Sequence, residues 1–151
     1  MAKVDGMVDV SKKDITVRTA KASGRIVLGD KAFDVLETGV CIKGDVFATA
    51  KIAAIQAAKS TQALIPMCHS VLIEAVDVEF AQDKCEKSVI VTVTVKSSGK
   101  TGVEMEALTS TSAACLTIYD MLKYVSKDMV INQIMLLTKT GGKSGNYKRQ
   151  N

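Results

Sequence analysis

The chain has 151 residues, 47% hydrophobic and 24% charged, with one proline and a formal charge of +4. That length suits a single domain burying about two thirds of its unfolded surface, and the small cationic surplus favours an anionic ligand without amounting to a nucleic-acid coat. No stretch approaches the roughly 18 uninterrupted apolar residues of a membrane span, and Met1 to Gly6 lack an apolar signal core, so the cytoplasm is the expected compartment.

No repeat, low-complexity run or linker divides residues 1–151, which therefore read as one domain. Residues 1–14 are polar and basic and the tail from Gly141 to Asn151 is Gly-, Lys- and Ser-rich, so both are expected to be flexible ends outside the packed core. An extended segment runs from near Thr16 to Leu28. Asp45 to Ser60 predicts a helix with a small-residue face of Ala50, Ala53, Ala54, Ala57 and Ala58, and Pro66 ends that region. Ile73 to Phe80 alternates, Val76, Val78 and Phe80 on one face and Asp77 and Glu79 on the other, as a half-buried strand does. Val89, Val91, Val93 and Val95 alternate with Ile90, Thr92, Thr94 and Lys96, and the short polar connection Gln82 to Lys87 makes these two strands a hairpin. From about Val103 to Val125, Leu108, Cys115, Ile118, Leu122 and Val125 recur at helical spacing, and Val130 to Lys139 is a last strand. The order β-α-β-β-α-β predicts an α+β, ferredoxin-like fold: an antiparallel sheet with two helices on one face. Such a fold carries many functions, so function has to come from the residues.

Cys41, Cys68, Cys85 and Cys115 form no C-x-x-C pair and His69 is the only histidine, so no four-ligand zinc pattern can be assembled. These cysteines are expected to be free thiols, mostly buried. Gly99-Lys100-Thr101 and Gly142-Lys143-Ser144 suggest a phosphate loop, but Thr94 and Leu137 stand where a Walker A motif needs glycine. Gly141 to Gly145 still offer backbone N–H groups and a cation to a phosphate, against the plainer reading of a flexible tail. Cys68-His69 is expected to enter a strand, where neighbours point to opposite faces; His69 alone is then the better proton carrier, or a structural histidine. Asp45 is a natural N-cap, whereas the charge of Lys43 opposes the helix dipole there and leaves room for a bridging anion. Glu104 and Glu106 suit a helix start, and Asp120 and Lys123 share a helical face, either as a surface pair or as an acid–base group.

Longer runs carry a resemblance. Lys43-Gly44-Asp45-Val46-Phe47-Ala48-Thr49-Ala50, Ile65-Pro66-Met67-Cys68-His69 and Gly99-Lys100-Thr101-Gly102-Val103-Glu104-Met105-Glu106-Ala107-Leu108-Thr109 are similar to the cyclic pyranopterin monophosphate synthases, the molybdenum cofactor biosynthesis protein C family. Thr117 to Met121, Lys127 to Val130 and Gly141 to Gly145 extend the likeness over essentially the whole chain, with one departure: Ser70 follows His69 where the family usually has proline. The resemblance implies a phosphorus–oxygen lyase of molybdenum cofactor biosynthesis, one catalytic domain that converts a 3',8-cyclised dihydro-GTP to cyclic pyranopterin monophosphate and releases diphosphate. It implies Asp120, Lys123, Lys43 and His69 as catalytic residues, and Met67, Cys68, His69, Met105, Glu106, Glu104, Arg18 and Lys143 as substrate-binding ones. It also implies a homohexamer, a trimer of dimers, with sites at subunit interfaces.

Cyclising a phosphate calls for a base, cations for the triphosphate and stabilised charge on the leaving diphosphate. Arg18, Lys43, Lys123 and Lys143 supply four cations, and Asp120, His69 and Glu106 suit the proton transfers. No cofactor and no protein-bound metal are required by the sequence; Mg²⁺ enters only as a candidate companion of the triphosphate. An RNA-recognition module is excluded because Ser88 to Val95 has no aromatic residue for base stacking, so no nucleic acid and no membrane is expected as a partner. A regulatory small-molecule-binding domain is the competing class, and turnover separates the two.

Overall fold

The computed structural model describes residues 6–150. Its elements are β1 (Thr16–Val27), α1 (Gly29–Thr38), α2 (Val46–Leu64), β2 (Ile73–Asp83), β3 (Ser88–Gly99), α3 (Glu104–Leu122), β4 (Val130–Thr140) and β5 (Tyr147–Lys148). The sheet runs β2-β3-β1-β4-β5 with every neighbouring pair antiparallel. Without α1 and β5 this is the expected ferredoxin-like α+β order.

The valine alternation of β3 does what it predicts. Val89, Val91, Val93 and Val95 are fully buried, while Ile90, Thr92 and Thr94 on the other face are partly exposed. Against the inner face lie α2 and α3, which pack on each other through small residues: Ala50, Ala54, Ala57 and Ala58 of α2 are buried, as are Ala107, Ser110 and Ala114 of α3. Gly24 of β1 permits a close approach, since an added Cβ would collide with Ile134 and come within 2.9 Å of Thr111 Cγ2. Asp45 caps α2 as expected, its carboxylate accepting from Ala48 N at 2.9 Å.

Two elements are absent from the expected order. The ten residues of α1 are too short for a clear period, although Ala32, Phe33 and Leu36 make a buried face and Gly39, at φ 67°, ends the helix in the left-handed conformation. The expected free tail supplies β5, which pairs Tyr147 with Lys139 and Lys148 with Thr138. Of the ends expected to be flexible, residues 1–5 and 151 lie outside the described residues. All four cysteines are free, but only Cys115 is buried; Cys41 and Cys68 are half-buried and Cys85 is exposed, because these three sit in connections rather than on packed faces. No described helix is long and apolar enough to cross a membrane.

Candidate active site

Lys43 stands in the connection before α2, and the negative charge it meets within the chain is on α3. Its ammonium reaches the far end of α3, 3.0 Å from Asp120 Oδ2 and 2.8 Å from the Asp120 carbonyl. Lys123, at the C-terminus of the same helix, lies 2.6 Å from Asp120 Oδ1. Both cations therefore meet a helix C-terminus, where the dipole favours them, so the misfit of Lys43 with the start of α2 disappears. Hydrogen bonds from Lys123 and then Lys43 hold the Asp120 carboxyl below its ordinary range, and Asp120 in turn raises Lys123. Asp120 is an ionised carboxylate at neutral pH, reachable from solvent and gripped from both sides.

The other end of α3 gathers a second group. Glu106 is 4% exposed, and its carboxyl is pushed up by burial, opposed by its own backbone N–H and aided by the charge of Glu104. Cys68 faces it: burial raises this thiol, and the charge of Glu106 raises it further. The Met67-Cys68-His69 and Glu104-Met105-Glu106 segments thus meet, as α2 and α3 run antiparallel. The strand expected to begin at Cys68-His69 begins only at Ile73, so no pleat sets the two side chains apart. His69 Nε2 lies 2.6 Å from the Val8 carbonyl. Met67 and Met105 are exposed apolar side chains beside these polar groups. Glu104 pairs with Lys139 at 2.9 Å, and Lys139 also donates to Ser144 Oγ at 3.1 Å. Lys139 escaped the sequence reading; its signal is a lone cation between Thr138 and Thr140, just past the apolar run Met135-Leu136-Leu137.

Arg18, 7% exposed on β1, turns its guanidinium to the carbonyls of Gly99, Lys100 and Gly141. Gly141 and Gly142 have φ of 89° and 87°, and an added Cβ at Gly142 would collide with that guanidinium. The expected backbone nest is partly used internally, since Gly141 N donates to Asn146 Oδ1 and Gly145 N to Gly142 O. Lys143 and Arg18 instead share an open cleft of about 830 Å³. A smaller cleft of about 330 Å³ lies between His69 and Lys100.

One chain therefore carries two clusters of these residues, one at each end of α3. Along the unbroken α3, Glu106 and Asp120 are about 21 Å apart at 1.5 Å per residue. Met67, Cys68, His69, Met105, Glu106, Glu104, Arg18 and Lys143 cluster near the helix start, and Lys43, Asp120 and Lys123 at its end. Among the described residues no three His, Cys, Asp or Glu side chains converge to hold a metal.

The MoaC family model matches residues 7–142 of the chain. A protein named cyclic pyranopterin monophosphate synthase from Clostridium acetobutylicum is 49% identical over 143 residues, which cover 95% of this chain and 89% of that relative.

Proposed function

Because the chain belongs to the MoaC family, we propose that it is an enzyme with the activity in its relative's name, a cyclic pyranopterin monophosphate synthase of molybdenum cofactor biosynthesis working in the cytoplasm. It is a phosphorus–oxygen lyase converting (8S)-3',8-cyclo-7,8-dihydroguanosine 5'-triphosphate to cyclic pyranopterin monophosphate. A substrate hydroxyl attacks the α-phosphorus, a P–O bond forms, the bond to the β-phosphate breaks, and diphosphate leaves with the electron pair. The hydroxyl proton needs an acceptor, and ring opening and reclosure need further acids and bases.

The observation that carries this reading is the opposite tuning of two carboxylates. Asp120 is held ionised between two lysines and suits the role of proton acceptor, while burial favours the protonated form of Glu106 and suits it to donate. His69 and Cys68 stand beside Glu106, and Lys43 and Lys123 meet negative charge near Asp120. The separation of about 21 Å supports a site shared between chains, in which the end of one α3 meets the start of another chain's, and the resemblance to the family supplies the homohexamer, a trimer of dimers, as the assembly. Mg²⁺, as a companion of the triphosphate, would be held by phosphate oxygens and water.

Incubating the purified protein with the cyclised dihydro-GTP and separating products by chromatography tests the reading. Cyclic pyranopterin monophosphate and diphosphate should form in equal amounts. Saturable binding without product would leave the regulatory-domain reading standing instead.

A further inference from the structure

Lys43 belongs to no helix or strand, yet its ammonium meets Asp120 across 77 residues of sequence. A lysine side chain loses much rotamer freedom when it is held, so the backbone beneath it has to be fixed for the contact to persist. Packing does not fix it. Val40 and Ile42, on either side of Cys41, are 74% and 77% exposed. Beside the turn is a hollow of about 400 Å³, lined by Cys41, Gly44 and Phe47 among others.

Hydrogen bonds do. Gly44 N donates to Cys41 O at 3.1 Å and closes a turn that carries Lys43, with Gly44 at φ 101°. The last carbonyls of a helix have no partner within it. Two of those at the end of α3 are met from this turn: Cys41 Sγ donates to Met121 O at 3.4 Å and Lys43 Nζ to Asp120 O at 2.8 Å. A third bond runs the other way, since the Tyr124 hydroxyl, just past α3, accepts from Ile42 N at 3.3 Å. Three successive residues, Cys41, Ile42 and Lys43, are thus tied to the segment from Asp120 to Tyr124. The proposed reaction gives no part to Cys41 or Tyr124.

We propose that Cys41 and Tyr124 are positioning residues: they clasp the turn to the end of α3 and so hold the Lys43 ammonium beside Asp120 for the reaction. The part of Lys43 in turnover rests on the proposed function; the hold on its ammonium is read from the turn itself.

Competitive acetylation of the full chain, read by mass spectrometry, measures that hold without any turnover. In the parent, Lys43 should react more slowly than Lys51 and Lys59, exposed on α2, because its ammonium is engaged by two oxygens. Tyr124 is 41% exposed, so Tyr124→Phe removes one oxygen and spares the core. It should speed Lys43 relative to those two lysines by about fivefold, the scale of one net hydrogen bond. In turnover it should lower kcat by about the same factor, with KM within about twofold of the parent's. Cys41→Ala should act in the same direction, and Cys41→Ser, which restores a donor, should return both readings towards the parent. An unchanged Lys43 rate in both Tyr124→Phe and Cys41→Ala overturns the proposal, and so does a faster Lys43 with kcat unaltered. Failure of the reaction is seen separately. A parent without turnover removes the proposed function while the acetylation rates still decide the hold on Lys43; turnover with an unchanged Lys43 rate keeps that function and removes the clasp.

Discussion

Asp120 and Glu106 are carboxylates on one helix that physical surroundings drive in opposite directions. Asp120 has its pKa lowered, so the attraction it adds to the fold is present above the ordinary value of 3.8 and is lost as pH falls through the lowered one. Exposed pairs of this kind add little to stability. Asp120→Asn should therefore cut kcat by about 10²–10⁴-fold, the scale of a lost acid–base group, with a nearly unchanged melting temperature. Activity near that of the parent would reduce Asp120 to a surface ion pair. Glu106 has the opposite sign. Its native pKa lies above 4.5, so the native state binds a proton more tightly than the unfolded chain, and stability falls as pH rises through that window. Glu106→Gln should abolish this penalty and raise the melting temperature at pH 8, and the gain should shrink towards pH 4. Melting curves across that range decide it; a gain that grows on acidification would show that burial does not govern Glu106.

At the level of elements, the close seating of α3 on the sheet fixes the line along which both residue clusters lie. Gly24 makes that seating possible, opposite Thr111, Cys115 and Ile134 and next to a register shift between β1 and β4 at Ser23/Arg25. Gly24→Ala should destabilise the fold by about 1–3 kcal/mol through overpacking. Ile134→Val should recover part of that loss, because its Cδ1 is the nearest atom to the added methyl and the end of a flexible side chain. Chemical denaturation of the single and double variants measures both effects, and additive losses would mean that the two sites do not touch in the way the packing requires.

For the whole molecule, the distance along α3 has a consequence for assembly. Asp120→Asn and Glu106→Gln, each inactive alone, should complement when unfolded and reassembled together. With random assortment of the two chains, about one site in four would combine an intact Glu106 from one chain with an intact Asp120 from another, so about a quarter of the activity should return. Well-mixed hybrids as inactive as their parents would place both residues in one chain's site.

Whatever depends on neighbours in sequence was legible before folding. The alternation of Val89 to Val95, the alanine face of α2, the cap at Asp45 and the long period of α3 are local patterns, and they suffice for β-α-β-β-α-β. The motif runs likewise named residues that the fold gathers at the two ends of α3. What escaped is non-local or short. Lys43 and Asp120 are 77 residues apart, so the salt bridge that accounts for both becomes visible only when α2 and α3 lie antiparallel. Lys139 acquires its role from Glu104, 35 residues earlier, through the pairing of β4 with β1. The segment before β1 reads as a free basic end until Lys100, just past β3, donates to the Ser11 carbonyl and ties it to the domain. Composition counts the charges of a chain, but an ionic site depends on distances of a few ångströms, and those are set by which strands pair and which helices pack.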